Sequence, residues 1–168
     1  MRKIISASLL VLALALVGTA AAGKVGQAKL WIYNPSAGEA VAQWTKGGLS
    51  LEKNAPTTAE LAAGAELKGV AGETLTTLAF DVNDASYCNA GAPRFNVYSG
   101  GSTYFFGCSY GVHTPLGNGW THVEFKGSDL GAAAGATIDG IEVVMDEQGK
   151  TLLRNITVND LTVDKFSN

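Results

Sequence analysis

Short runs of β-branched and aromatic residues, each closed by glycine, recur along most of this chain, and they leave little room for any architecture but sheet. The clearest case is Arg94-Phe95-Asn96-Val97-Tyr98, then Ser99-Gly100-Gly101-Ser102, then Thr103-Tyr104-Phe105-Phe106. Alternation places successive side chains on opposite faces of a strand, and glycine allows the backbone angles of a tight hairpin. Twenty of the 21 glycines fall beyond residue 22. Charged residues make up only 16% of the chain, too few for the long polar faces of surface helices.

The same reading runs along the chain. Lys29-Leu30-Trp31-Ile32-Tyr33 is a strand stopped by Asn34-Pro35-Ser36. Residues 39–45 and 49–52 form two more, turned by Lys46-Gly47-Gly48. Residues 55–66 are the one helix-compatible stretch, and an irregular Ala-rich loop fits them equally well. Residues 74–82, 94–98, 103–106, 120–125, 138–145 and 152–163 supply the remaining strands, with a glycine-rich loop over 107–119. Eight to ten short strands at roughly 8–12-residue spacing predict an all-β, antiparallel two-sheet β-sandwich of jelly-roll type.

The N-terminus reads differently. Arg2 and Lys3, an apolar run from Leu9 to Val17, and Ala20-Ala21-Ala22 have the order of a cleavable signal helix, with cleavage expected after Ala22. The run is shorter than the ~20 residues that span a bilayer. This divides the chain into a signal peptide, 1–22, and one β-sandwich domain, 23–168, and predicts a secreted protein, extracellular or periplasmic. In that oxidising setting the two cysteines, Cys88 and Cys108, are expected to form a disulfide. With only His113 and His122 available as further ligands they make a poor zinc signature. Loss of Arg2 and Lys3 leaves ten basic residues against fifteen acidic ones, a formal charge of −5. An acidic chain without a basic stripe argues against nucleic acid as partner, and without a polybasic segment against a membrane after signal cleavage.

Two strands carry chemistry on one side. Arg94, Asn96 and Tyr98 point away from the side of Phe95 and Val97. Trp120, His122 and Glu124 point away from that of Thr121, Val123 and Phe125. An aromatic ring can stack on the apolar face of a pyranose while Asn, Arg, His or Glu fix its hydroxyls, so these six are the candidate ligand-binding residues, with a glycan or polysaccharide as partner. The competing reading is the solvated face that any antiparallel sheet presents. The loop 107–119, tied at Cys108, could hold Tyr110 and His113 over a sheet rim, or be a structural corner.

Signs of catalysis are thin. Ser102 or Ser109 could be combined with a histidine, yet no Gly-x-Ser-x-Gly elbow and no His-Glu-x-x-His is present. No enzyme activity and no cofactor are expected. Asp81, Asn83 and Asp84 offer oxygens for a structural calcium ion, against the reading of solvated turn residues; no EF-hand pattern accompanies them.

A resemblance adds to this. The stretch Ala92-Pro93-Arg94-Phe95-Asn96-Val97 through Tyr104-Phe105-Phe106-Gly107-Cys108 and His113-Thr114-Pro115-Leu116-Gly117 to Gly119-Trp120-Thr121 looks like small secreted bacterial proteins. Ile141-Glu142-Val143-Val144-Met145-Asp146-Glu147 and Leu153-Arg154-Asn155-Ile156-Thr157-Val158-Asn159 resemble the last strands of galactose-binding-like, carbohydrate-binding-module sandwiches. What matches is structural, so no sugar-binding residue carries over. The expectation is a secreted, non-catalytic module that binds carbohydrate. The alternatives are a protein-interaction component of the envelope or matrix and a small secreted hydrolase using His113 or His122.

Overall fold

The structure, a computed structural model, describes residues 24–89 and 91–164; the segment read as a signal peptide lies outside them. Among the described residues there are twelve strands: β1 (Lys24–Tyr33), β2 (Glu39–Thr45), β3 (Gly48–Asn54), β4 (Ala62–Lys68), β5 (Thr77–Asn83), β6 (Arg94–Ser99), β7 (Ser102–Gly107), β8 (Val112–Pro115), β9 (Trp120–Lys126), β10 (Gly140–Met145), β11 (Gly149–Val158) and β12 (Leu161–Asp164). The fold is all-β.

The strands follow one hydrogen-bonded path, β7-β6-β10-β4-β1-β12-β11-β5-β9-β8, with the β2–β3 hairpin branching from β11. Strand spacing predicts two separate sheets; hydrogen bonding joins the strands into one curled, open sheet. The link is β1, which pairs antiparallel with β4 and parallel with β12. β11 then divides one edge between β3 at its start and β12 at its end, while β5 takes the other edge.

Curling brings the two arms of the path face to face. Alternate residues of one arm point inward, Phe95 and Val97 on β6 and Ile141, Val143 and Met145 on β10. Leu78, Phe80 and Val82 on β5 and Val123 and Phe125 on β9 meet them from the other, all buried. Rings touch across the core: Phe80 and Phe95 at 5.3 Å between centroids, Phe95 and Phe125 at 6.5 Å, Phe106 and Phe125 at 5.6 Å. Aromatic pairs in these arrangements contribute about 0.5–1.5 kcal/mol each beyond the area they bury. Cys88, after β5, is bonded to Cys108, directly after β7, with Cα atoms 5.3 Å apart, so the expected disulfide ties the two arms together. Among the described residues no helix is long and apolar enough to cross a membrane.

The helix-compatible stretch 55–66 is not helical. Residues 55–61 form an irregular turn, and β4 begins at Ala62 and runs between β1 and β10. Local propensity is overridden by neighbours: Ala63, Ala65 and Leu67 alternate into the core, and strands on both sides satisfy the backbone. The turn hangs on Lys53, 1% exposed, whose Nζ donates to the carbonyl oxygens of Thr57 (3.1 Å), Ala59 (2.7 Å) and Asp146 (2.7 Å). The glycine-rich stretch 107–119 likewise contains a strand, β8, exposed along its length.

Candidate functional site

The six residues singled out in the sequence separate into two groups. Phe95 and Phe125 meet inside, so Arg94, Asn96 and Tyr98 on β6 point outward from one arm and Trp120, His122 and Glu124 on β9 outward from the other. No single surface collects them. Each arm instead has its own groove.

On the first arm the register sets out rows across the sheet. One runs Trp31, Gly64, Val144, Arg94; the next runs Lys29, Glu66, Glu142, Asn96, Phe105; Tyr98 lies opposite Gly140 beyond them. Tyr33 lies opposite Ala62 at the other end. The middle of this face is therefore built of small side chains, Ala62, Gly64 and Val144. Aromatic residues of β1 stand on one side and polar residues of β6 on the other. The result is a groove of about 410 Å³. The benzo ring of Trp31 lies over Gly64 so closely that a Cβ there would fall 2.2 Å from Cζ2. Tyr33 is 59% exposed.

The polar wall is held in place by its own bonds. Arg94 grips Asp146 with two parallel bonds, Nη1 to Oδ1 at 2.5 Å and Nη2 to Oδ2 at 2.7 Å, and donates from Nε to Asn96 Oδ1 at 2.8 Å. The guanidinium also sits 5.4 Å from the centre of the Phe105 ring. Tyr98 Oη donates to Glu142 Oε2 at 2.7 Å. Burial and this bond both raise the Tyr98 pKa above that of an ordinary phenol. Bidentate, charge-assisted bonds of this kind fix side-chain geometry as well as adding energy.

On the second arm the centre is Asp81, 3% exposed on the outer side of β5. It accepts from His122 Nδ1 at 2.8 Å, Asn155 Nδ2 at 2.7 Å and Arg154 Nε at 3.3 Å. A bulge in β11 between Arg154 and Thr157, with Asn155 at φ +47°, turns both donors toward this carboxylate. The Arg154 guanidinium lies 4.0 Å from the centre of the Trp120 ring. Next to it opens a groove of about 650 Å³ whose lining includes Trp44, Lys46, Trp120, Arg154 and Asn155. Of the sequence candidates here, only Trp120 lines the groove; His122 buttresses Asp81, and Glu124 pairs with Lys126 Nζ at 2.6 Å.

The remaining candidates are also accounted for by position. His113 Nε2 donates to the Cys108 carbonyl oxygen at 2.8 Å. It stands beside the two cysteine sulfurs, which are bonded to each other. In the acidic turn, Asp81 serves the cluster above, Asn83 donates to the Gly119 carbonyl and accepts from Ala85 N, and Asp84 accepts from Thr121 Oγ1 at 2.8 Å.

Sequence reasoning missed Trp31, Tyr33, Trp44 and Arg154. The signal for the first two is present, since Lys29, Trp31 and Tyr33 alternate as an aromatic and polar side, the same pattern as in 94–98. Trp44 and Arg154 carried no such signal, because a turn and a bulge bring them together. Comparison with known proteins finds no matching family model, no matching curated protein and no matching solved structure.

Proposed function

We propose that this protein is a secreted, non-catalytic glycan-binding module, and that it reads neutral sugars in the groove on the outer face of β1, β4, β10 and β6. The observation that carries this is the division of that groove: Trp31 and Tyr33 on one wall, small residues on the floor, and Arg94, Asn96, Tyr98 and Glu142 on the other wall. A pyranose is two-sided in the same sense, with an apolar C–H face that stacks on aromatic rings and a rim of hydroxyls that needs hydrogen-bonding partners. Asp146 is neutralised by Arg94 and Glu142 is engaged by Tyr98, an arrangement suited to fixed recognition rather than proton transfer.

The N-terminal signal pattern and the disulfide support export. The ring contacts across the core support reading the curled sheet as two facing layers of the jelly-roll, carbohydrate-binding-module kind.

The test is a screen of neutral oligosaccharides, followed by calorimetry on the hits with Trp31→Ala and Asn96→Ala. Removing one stacking ring is expected to weaken binding about tenfold, the equivalent of roughly 1.4 kcal/mol. Unchanged binding in both variants overturns the site. Absence of any glycan binding, with self-association of the purified protein, favours the interaction-component reading instead.

A further inference from the structure

We infer that the groove between Trp44 and Trp120 is a second, separate binding site, specific for acidic sugar units that carry a carboxylate on the ring, the uronates. This goes beyond the neutral-glycan reading and stands on different residues.

The chain as a whole is acidic, with 15 Asp and Glu against 12 Lys and Arg. The lining of this groove nonetheless contains two cationic side chains, Lys46 and Arg154, and no carboxylate. Asp81, the acid nearest in the network, is sealed beneath it by His122, Asn155 and Arg154.

Arg154 is held but not used up. One edge of its guanidinium is spent, Nε on Asp81 at 3.3 Å, and its face is covered by the Trp120 ring at 4.0 Å. Neither Nη1 nor Nη2 makes a hydrogen bond among the described residues. An arginine that is oriented through Nε, stacked on an indole, and left with two parallel N–H groups in a groove is arranged for a bidentate carboxylate or another planar anion. Buttressing through Asp81 lowers the ordering cost on binding, because the fork is already in position.

The aromatic walls narrow the choice of anion. Trp44 and Trp120 line the same groove, and the indole N–H of Trp44 is buried with no acceptor among the described residues. A bare inorganic anion has no use for two indoles. A uronate has both halves, a carboxylate for Arg154 and Lys46 and a ring for the tryptophans. The turn that presents Trp44 and Lys46 is fixed against β11: a Cβ on Gly48, at φ +133°, would fall 2.0 Å from the Leu153 carbonyl oxygen.

Calorimetry on the whole exported protein with trigalacturonate and trimannuronate, each compared with its methyl ester, tests this directly. The ester keeps the ring and removes the charge. At least one free acid is expected to bind, and its ester to bind tenfold more weakly or less. Lys46→Glu, a change on an exposed turn, is expected to weaken the acid at least tenfold without shifting thermal unfolding. Trp31→Ala on the other arm should leave it unchanged. Binding of neither acid, or equal binding of acid and ester, overturns the proposal. So does acid binding that survives Lys46→Glu, or acid binding that Trp31→Ala removes. That last result would leave the neutral-glycan face standing, just as loss of neutral binding would leave this groove untouched.

Discussion

Gly64 is the residue on which the proposed neutral-sugar face most depends. Its missing side chain is filled by the Trp31 ring, and a methyl group there would fall 2.2 Å from Cζ2. Gly64→Ala is therefore expected to push the Trp31 ring out of its seat over Gly64. Overpacking of this kind costs about 1–3 kcal/mol. Denaturant unfolding should show that loss, and the variant should lose neutral-glycan binding more than its stability alone explains. Two tyrosines give a pH signature at the same scale. A hydrogen bond to Glu147, with burial adding to it, pushes the Tyr87 pKa up to about 12, and burial with the bond to Glu142 raises that of Tyr98. The folded state thus holds these protons more tightly than the unfolded one. Their contribution to stability is complete below about pH 10 and is lost as pH climbs through the folded values. An ultraviolet titration should show two phenols ionising above the pH of an ordinary phenol. Residues such as Lys53 show what a sequence does not reveal: its three acceptors are backbone carbonyls, two from a turn and one from beyond β10.

Among elements, legibility followed alternation. β6 and β9 alternate strongly, and their inward and outward sides are as the sequence predicts. β4 was hidden, because Ala62-Ala63-Gly64-Ala65-Glu66-Leu67 has helix-forming composition and owes its strand conformation to β1 and β10. The sequence reads 152–163 as one strand, but a turn at Asn159-Asp160 divides it into β11 and β12, and the bulge in β11 has no local mark beyond an asparagine that tolerates a left-handed backbone. That bulge supports a prediction. Asn155→Ala removes a bond to the buried Asp81 carboxylate and places alanine at φ +47°. The expected loss is on the order of 2–3 kcal/mol. Uronate binding should weaken with it as Arg154 loses its register, which calorimetry beside thermal unfolding will show. A variant with full stability and full binding would show that the bulge does not position the arginine.

For the molecule as a whole, the sequence spoke clearly about class and poorly about topology. Glycine-punctuated alternation predicts all-β, and two cysteines in an export pattern predict the bond that is found. The single curled path depends on β1 pairing with β12 across most of the chain, and no local pattern reports a contact of that range. The same distance explains the division of the six candidate residues. They share a sequence signature, yet β6 and β9 lie near opposite ends of the path. Cys88–Cys108 ties those arms across 20 positions. Replacing both cysteines with alanine should cost about 3 kcal/mol in guanidinium unfolding by loop-closure entropy. A loss well under 1 kcal/mol would mean that the core alone holds the arms together.

The proposed seat of a neutral glycan is the outer face of β1, β4, β10 and β6. Backbone amide shifts recorded during titration with the best neutral oligosaccharide from the screen test it most directly. Perturbations are expected to centre on Trp31, Tyr33, Gly64, Asn96, Tyr98 and Glu142, with β9 and the Trp44 turn quiet. Perturbations confined to the second arm, or none at saturating sugar, would contradict it.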